Sequence, residues 1–182
     1  MDSPEYLGIE IGGTKLQFGV GDGRTPRLEA LDRGDIDRSR GAEGILEAIA
    51  DVTHRLLQHH PISAIGFGFG GPVNTRAGRV ITSHQVDGWD DFNLAGWCDE
   101  HFGLPILLGN DCNAAALGEA RFGAGKNGRR VFYVTVGTGI GGGFVADNVL
   151  QGENRPSFFV HSSFSSFIYP VCARQKPAFL LR

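Results

Sequence analysis

The sequence predicts an α/β fold, and three observations predict it. An apolar, strand-like run from Tyr6 to Ile11 enters a Gly12-Gly13-Thr14-Lys15 turn and leaves as a second run from Leu16 to Val20. Helical periodicity and short buried strands then alternate through about residues 42–122. A second glycine cluster, Gly137 to Gly143, is framed by the β-branched and aromatic runs Val131–Val136 and Phe144–Ala146.

Taken in order, strands are expected at about 6–12, 15–21 and 27–33. A helix follows at about 42–59, where Ile45, Ile49, Val52 and Leu56 share one helical face. His59-His60-Pro61 ends it, because the residue before a proline is pushed out of the helical region. A buried strand is expected at Ala64–Phe69. Trp89, Phe92, Leu94 and Trp97 lead into a short helix ending near Phe102-Gly103, and they read as packing residues rather than a platform for stacked bases. A strand at 105–109 and an alanine-rich helix at 112–122 follow. The strand at 131–136 opens a hairpin that runs to about residue 149.

Composition fits a soluble protein with one good core. The chain has 182 residues, 41% of them hydrophobic and 20% charged. Seventeen Lys and Arg against 20 Asp and Glu give a formal charge of -3, and no basic stripe points to nucleic acid. Cys98, Cys112 and Cys172 lie far apart in no metal-ligand pattern, so no zinc site is expected. The odd cysteine count fits a reducing, cytoplasmic setting. The acidic, polar opening Met-Asp-Ser-Pro-Glu is unlike a signal peptide, and no apolar run is long enough to span a membrane.

The two glycine turns carry the first chemical expectation. Without a Cβ, glycine lets backbone N–H groups approach an anion, and successive N–H groups form a concave nest for phosphate oxygens. Thr14 and Lys15 add a hydroxyl and an ammonium. The pattern differs from the P-loop, which has four residues before its Gly-Lys-Ser/Thr and opens a helix. A tight β-hairpin turn accounts for the same glycines. Between the turns, the strand at 105–109 runs into Asn110-Asp111. Ligands of open α/β sheets bind beyond the carboxyl ends of the strands, so Asp111 stands where a catalytic carboxylate is expected. Capping of the next helix by Asp111 or Asn113 explains the residue types equally well.

Together these segments resemble the ROK family of sugar kinases and repressors, within the actin-like, ribonuclease H-like phosphotransferases. Gly12-Gly13-Thr14-Lys15 is similar to its first phosphate motif. Gly68-Phe69-Gly70-Gly71-Pro72-Val73 is similar to its sugar-site segment. Asn110-Asp111 with Asn113-Ala114-Ala115-Ala116 resembles its catalytic segment, and Gly137-Thr138-Gly139-Ile140-Gly141-Gly142-Gly143 its second phosphate motif. Order and spacing agree from about residue 5 to about residue 150.

The resemblance implies an actin-like lobe with a mixed sheet over residues 1–120, and the opening hairpin of a second lobe over 121–154. It implies ATP-dependent phosphorylation of a hexose, with ATP and Mg²⁺ as cofactors. Asp111 would be the general base and Asn110 would orient the sugar. Gly12, Gly13, Thr14, Lys15, Thr138 and Gly139 would hold the phosphates. Gly71 and His84 would be further, weaker sugar contacts, and His84 in Thr82-Ser83-His84-Gln85 reads first as an exposed loop histidine. Glu10 would face Mg²⁺ through water, where the family more often has Asp. Glucose is the first substrate the resemblance implies, beside N-acetylated hexosamines, mannose, fructose and allose; the donor is ATP or polyphosphate. The partner expected for the intact family form is a second copy, as a homodimer.

The chain changes character near residue 152. All 28 glycines lie at or before Gly152, and five of the 13 phenylalanines fall after Arg155 in a stretch without Gly, Asp or Glu. The 155–182 segment is therefore expected to be an out-of-frame, disordered or otherwise foreign tail, or the end of a natural short form. On that reading the second lobe is truncated and the hairpin edge at 131–149 is exposed. Phosphoryl transfer would then be impaired. A non-catalytic sugar-binding fragment is the alternative, and a repressor of the same family is a further one. A repressor would need a helix-turn-helix segment ahead of the first strand, for which the sequence before residue 6 has no room.

Overall fold

The computed structural model describes residues 4–136, 140–152 and 178–181. Its main sheet has five strands: β1 (Glu5–Ile11), β2 (Lys15–Gly21), β3 (Ala30–Asp35), β4 (Ile62–Phe69) and β8 (Ile106–Asn110), in the order β3-β2-β1-β4-β8. The pairs β3/β2 and β2/β1 are antiparallel, whereas β1, β4 and β8 are parallel, so the sheet is mixed.

The predicted elements are present, with shifted ends. The third strand begins at Ala30, later than expected. Asp22 accepts hydrogen bonds from the Arg24 and Thr25 amides, which turns the chain before Pro26, and pairing resumes only when Glu29 N–H donates to the Val20 carbonyl at 2.8 Å. Helix α1 (Gly41–Leu57) carries the expected stripe, with Ile45 and Ile49 buried. It is preceded by a 3-10 turn, Arg38–Arg40. Three two-residue strands, β5 (Val73–Asn74), β6 (Arg79–Val80) and β7 (Phe92–Asn93), form a small antiparallel sheet that short-range sequence signals do not announce. Helix α2 (Leu94–Phe102) is capped by Asn93, whose side chain accepts from Gly96 N–H.

The two faces of the main sheet differ. Strand register aligns Ile9 with Phe18 and Phe67, and Phe67 with Leu108. This face packs against Ile45 and Ile49 of α1, and against Leu94 and Cys98 of α2. Each such large apolar side chain contributes roughly 1.5–3 kcal/mol by leaving water. Burial also pushes the Cys98 thiol up to about 12, which keeps it protonated and inert. The opposite face carries Gly8, Gly19, Gly66 and Gly68 around the side chains of Glu10 and Gln17.

Helix α3 (Asp111–Arg121) leads to a second sheet, β11-β10-β9-β12, formed by β9 (Arg130–Val136), β10 (Ile140–Ala146), β11 (Val149–Gln151) and β12 (Ala178–Leu181). Ala114, Ala116, Leu117 and Ala120 of α3 pack against Val131, Tyr133 and Val145. The sequence leads one to expect an open edge on this hairpin. Instead β12 pairs with β9, setting Ala178 opposite Thr135 and Leu181 opposite Phe132, so that edge is closed. Of the expected tail, only this strand falls within the described residues.

Gly141, Gly142 and Gly143 lie in β10, not in the turn. A Cβ on Gly143 would stand 2.7 Å from the Ala116 Cβ and 3.1 Å from the Asn113 Cα, so glycine here lets α3 sit close to the strand. Gly143→Ala is expected to cost about 1–3 kcal/mol by overpacking, read as a lower melting temperature. An unchanged melt would mean that α3 is not pressed against β10.

Candidate functional site

Ile11, Phe69 and Asn110 form one row across the three parallel strands. The next residue of each strand leaves the sheet beside the others: Gly12 from β1, Gly70 from β4 and Asp111 from β8. The row is tied together. Gly70 N–H donates to the Ile11 carbonyl at 2.9 Å. Asn110 Nδ2 donates to the carbonyls of Phe69 and Gly71, each at 3.3 Å. A Cβ on Gly70 would lie 3.8 Å from Asp111 Oδ2, an ordinary contact distance, so the carboxylate stands beside the β4 turn.

Asn110, rather than Asp111 or Asn113, is the helix cap. Its Oδ1 accepts from Cys112 N–H at 3.0 Å and Asn113 N–H at 3.3 Å. The Asn110 amide is thus engaged on both sides, holding α3 to the β4 turn. Asp111 is 8% exposed, and its Oδ1 accepts from Cys112 N–H at 2.8 Å. Asn110→Ala is expected to lower stability by roughly 1–2 kcal/mol through loss of the cap and of the Nδ2 bonds. A calorimetric melt within a degree of the parent would contradict this.

The first glycine turn is both a hairpin turn and a candidate anion nest. Gly12 N–H donates to the Lys15 carbonyl at 3.0 Å, which closes the turn and leaves Gly13 and Thr14 at its tip. Thr14 and Lys15 are exposed. A Cβ on Gly13 would fall 1.4 Å from Gln85 Oε1, so the Gln85 carboxamide lies against the turn. A small open cleft is lined by Gly12, Gly13, Gly70, Ser83, Gln85 and Trp89. His84 is exposed, and its neighbours Ser83 and Gln85 reach the cleft in its place. Gly71 packs between the Phe69 ring and the Thr82 carbonyl, with 2.9 and 3.0 Å to a built Cβ. Thr138 and Gly139 lie outside the described residues.

Glu10 is 4% exposed, and Gln17 Nε2 donates to its Oε2 at 2.6 Å. The two face each other on β1 and β2, while Gly68 on β4 leaves room on the other flank. Among the described residues no three His, Cys, Asp or Glu side chains cluster to hold a metal. Mg²⁺ bound chiefly through phosphates needs only one or two carboxylates, and Glu10 and Asp111 are the buried ones here. The glycine turn, with its tip amides and no Cβ at Gly12 or Gly13, has the donor chemistry a phosphate chain requires.

Beside the turn, the Asp37 carboxyl is held below its ordinary value by the Ser39 hydroxyl and the Ser39 amide. The neighbouring Arg38 reaches back, its Nε donating to the Gly13 carbonyl at 2.7 Å. Neither Arg38 nor Gln85 stands in a glycine motif, so their link to the turn has no local sequence signal.

Comparison with known proteins shows the family and the fold. The family model described as ROK family matches residues 6–155. A glucokinase of Streptomyces coelicolor is 37% identical over 158 residues, covering 87% of this chain and 48% of that protein. The solved structure of a ROK family glucokinase from Streptomyces griseus, in complex with glucose and AMPPNP, superposes with a TM-score of 0.72 at 35% identity, covering 81% of this chain and 46% of that one. An inorganic polyphosphate/ATP-glucomannokinase from Arthrobacter sp. strain KM gives a TM-score of 0.69 at 30% identity, with 81% and 60% covered. The chain therefore spans about half the length of the curated relatives it matches.

Proposed function

The chain belongs to the ROK family, and from that membership we propose that it carries the phosphate- and sugar-binding lobe of an ATP-dependent hexose kinase. The observation that carries the reading is the row Ile11, Phe69 and Asn110, which delivers Gly12, Gly70 and Asp111 to one edge of the sheet. Residues 1–120 form that lobe, and 121–154 open the second.

In this reading the tip amides of Gly13 and Thr14 receive phosphate oxygens. Lys15 adds a positive charge, and Thr14 a hydroxyl. Asn110 fixes the start of α3, and with it the Asp111 carboxylate. Asp111 accepts the proton of the attacking sugar hydroxyl, a role worth roughly 10²–10⁴-fold when the geometry is right. Mg²⁺, when bound, offsets phosphate charge, and Glu10 and Asp111 are the carboxylates nearest that task. The rest of the acceleration is positioning and electrostatics, as in phosphoryl transfer generally. Glucose is the first substrate proposed, on the similarity to glucokinases. N-acetylated hexosamines, mannose, fructose and allose are the other candidates.

The test is hexose-dependent ADP release from the purified chain across those sugars, with calorimetric binding of AMPPNP and glucose measured alongside. Turnover supports a kinase. Binding of both ligands without turnover supports the second reading, a sugar-binding protein that does not transfer phosphate. Binding of neither ligand overturns both.

A further inference from the structure

Arg38 differs from the arginines that pair with acids. Arg27, Arg40, Arg55, Arg79 and Arg129 each face a carboxylate. Among the described residues Arg38 is in no ion pair. Its Nε–H instead donates to the Gly13 carbonyl, across 25 residues of sequence. Two residues earlier, Ile36 N–H donates to the Thr14 carbonyl at 3.0 Å. The segment 36–38 is thus fastened to two consecutive peptide units at the tip of the first glycine turn.

That fastening has a geometric consequence. In a trans peptide the carbonyl and the next N–H point in opposite directions. Holding the Gly13 carbonyl on the Arg38 side therefore turns the Thr14 N–H to the other side. Holding the Thr14 carbonyl on the Ile36 side does the same for the Lys15 N–H. Only one of the guanidinium's five donors is engaged in the bond to Gly13, and the rest stay on an exposed side chain.

We propose that Arg38 is a positioning residue for the phosphate donor: its Nε holds the glycine turn in a receiving shape, and its remaining charge attracts a linear chain of phosphoryl groups. The inference rests on the kinase reading of the turn and extends it to a residue outside the glycine motifs. The ligand chemistry is a phosphate chain with several negative charges, shared by a nucleoside triphosphate and by inorganic polyphosphate. A guanidinium is suited to it because its planar fork stays charged and matches paired phosphate oxygens.

The experiment is isothermal titration of the full chain with Mg²⁺-AMPPNP and, separately, with Mg²⁺-tripolyphosphate. Wild type, Arg38→Ala, Arg38→Lys and Arg38→Gln are compared, with circular dichroism melts as a folding control. Gln keeps an N–H donor without the charge, and Lys keeps the charge without the fork. Arg38→Ala and Arg38→Gln are expected to weaken binding roughly five- to tenfold, with Arg38→Lys in between. The Ala and Gln variants should also show a shallower dependence of affinity on salt. Loss for both ligands supports a contact to the shared phosphate chain. Loss confined to one of them supports the proposal and identifies the source. Wild-type affinity and salt dependence in Arg38→Gln overturn the charge role, and unchanged affinity in every variant overturns the proposal. If Arg38→Ala does not fold, the Gln and Lys pair decides. A wild-type chain that binds neither ligand overturns the donor-site reading, and this inference with it.

Discussion

Asp111→Asn is expected to lower hexose-dependent phosphoryl transfer by roughly 10²–10⁴-fold, with AMPPNP and sugar affinities changed by no more than a few fold. Asn has nearly the same shape as Asp. Its side-chain oxygen can still accept the Cys112 N–H bond that Asp111 now accepts at 2.8 Å, and the Asn110 cap is untouched. The start of α3 is therefore preserved, and what is lost is a basic oxygen for the hydroxyl proton. A stability effect would lower activity together with the melting temperature. A base effect lowers kcat while the melt stays within a degree or two. A kcat within threefold of the parent would remove Asp111 from the chemistry.

Trp89→Ala is expected to be the most destabilising single change near the cleft. Trp89 is 1% exposed and stands edge-on to Phe69 and Phe92, with ring centroids at 5.1 and 5.3 Å. Deleting a buried indole of this kind costs about 3–5 kcal/mol, because the transfer gain is lost and a cavity remains. For a chain of this size that is a fall in melting temperature on the order of 10 °C. The damage should reach the site as well. Trp89 lines the cleft with Gln85, and Phe69 is the β4 member of the row that presents Gly70. KM for the sugar should rise more than kcat falls. Trp89→Phe, which keeps an aromatic edge, should recover part of the stability. A melt lowered by less than 2 °C in Trp89→Ala would show that the ring trio does not hold this corner.

Much of the fold was legible in sequence because its signals are local. The alternating apolar runs at 6–20, the helical stripe through Ile45 and Ile49, and the proline after His60 each act over a few residues. The glycine turn was legible for the same reason, since Gly12 and Gly13 permit a closely approached backbone whatever surrounds them. The small sheet of β5, β6 and β7 was not. Two-residue strands carry too few side chains to show a period, and only pairing identifies them. The late start of β3 was hidden by the Asp22 turn, which depends on amides two and three residues away.

In the candidate site, residue types were legible and their engagements were not. Asn110-Asp111 could be read as a cap or as a catalytic pair. The tertiary structure divides the roles: Asn110 caps and ties α3 to the β4 turn, which leaves Asp111 beside Gly70. Gly141 to Gly143 read as part of a turn, but they lie in a strand, where a Cβ on Gly141 or Gly143 would meet α3 and one on Gly142 would meet the Tyr133 carbonyl. Gln85 and Arg38 converge on Gly13 from segments 72 and 25 residues away, a meeting that no window along the chain contains. By itself the sequence determined the α/β class, the position of the first glycine turn and the residues available for phosphate and proton chemistry, because propensity, periodicity and glycine's freedom act locally. Only the tertiary structure decided which of those residues stand side by side, because strand register and helix docking are set by long-range packing.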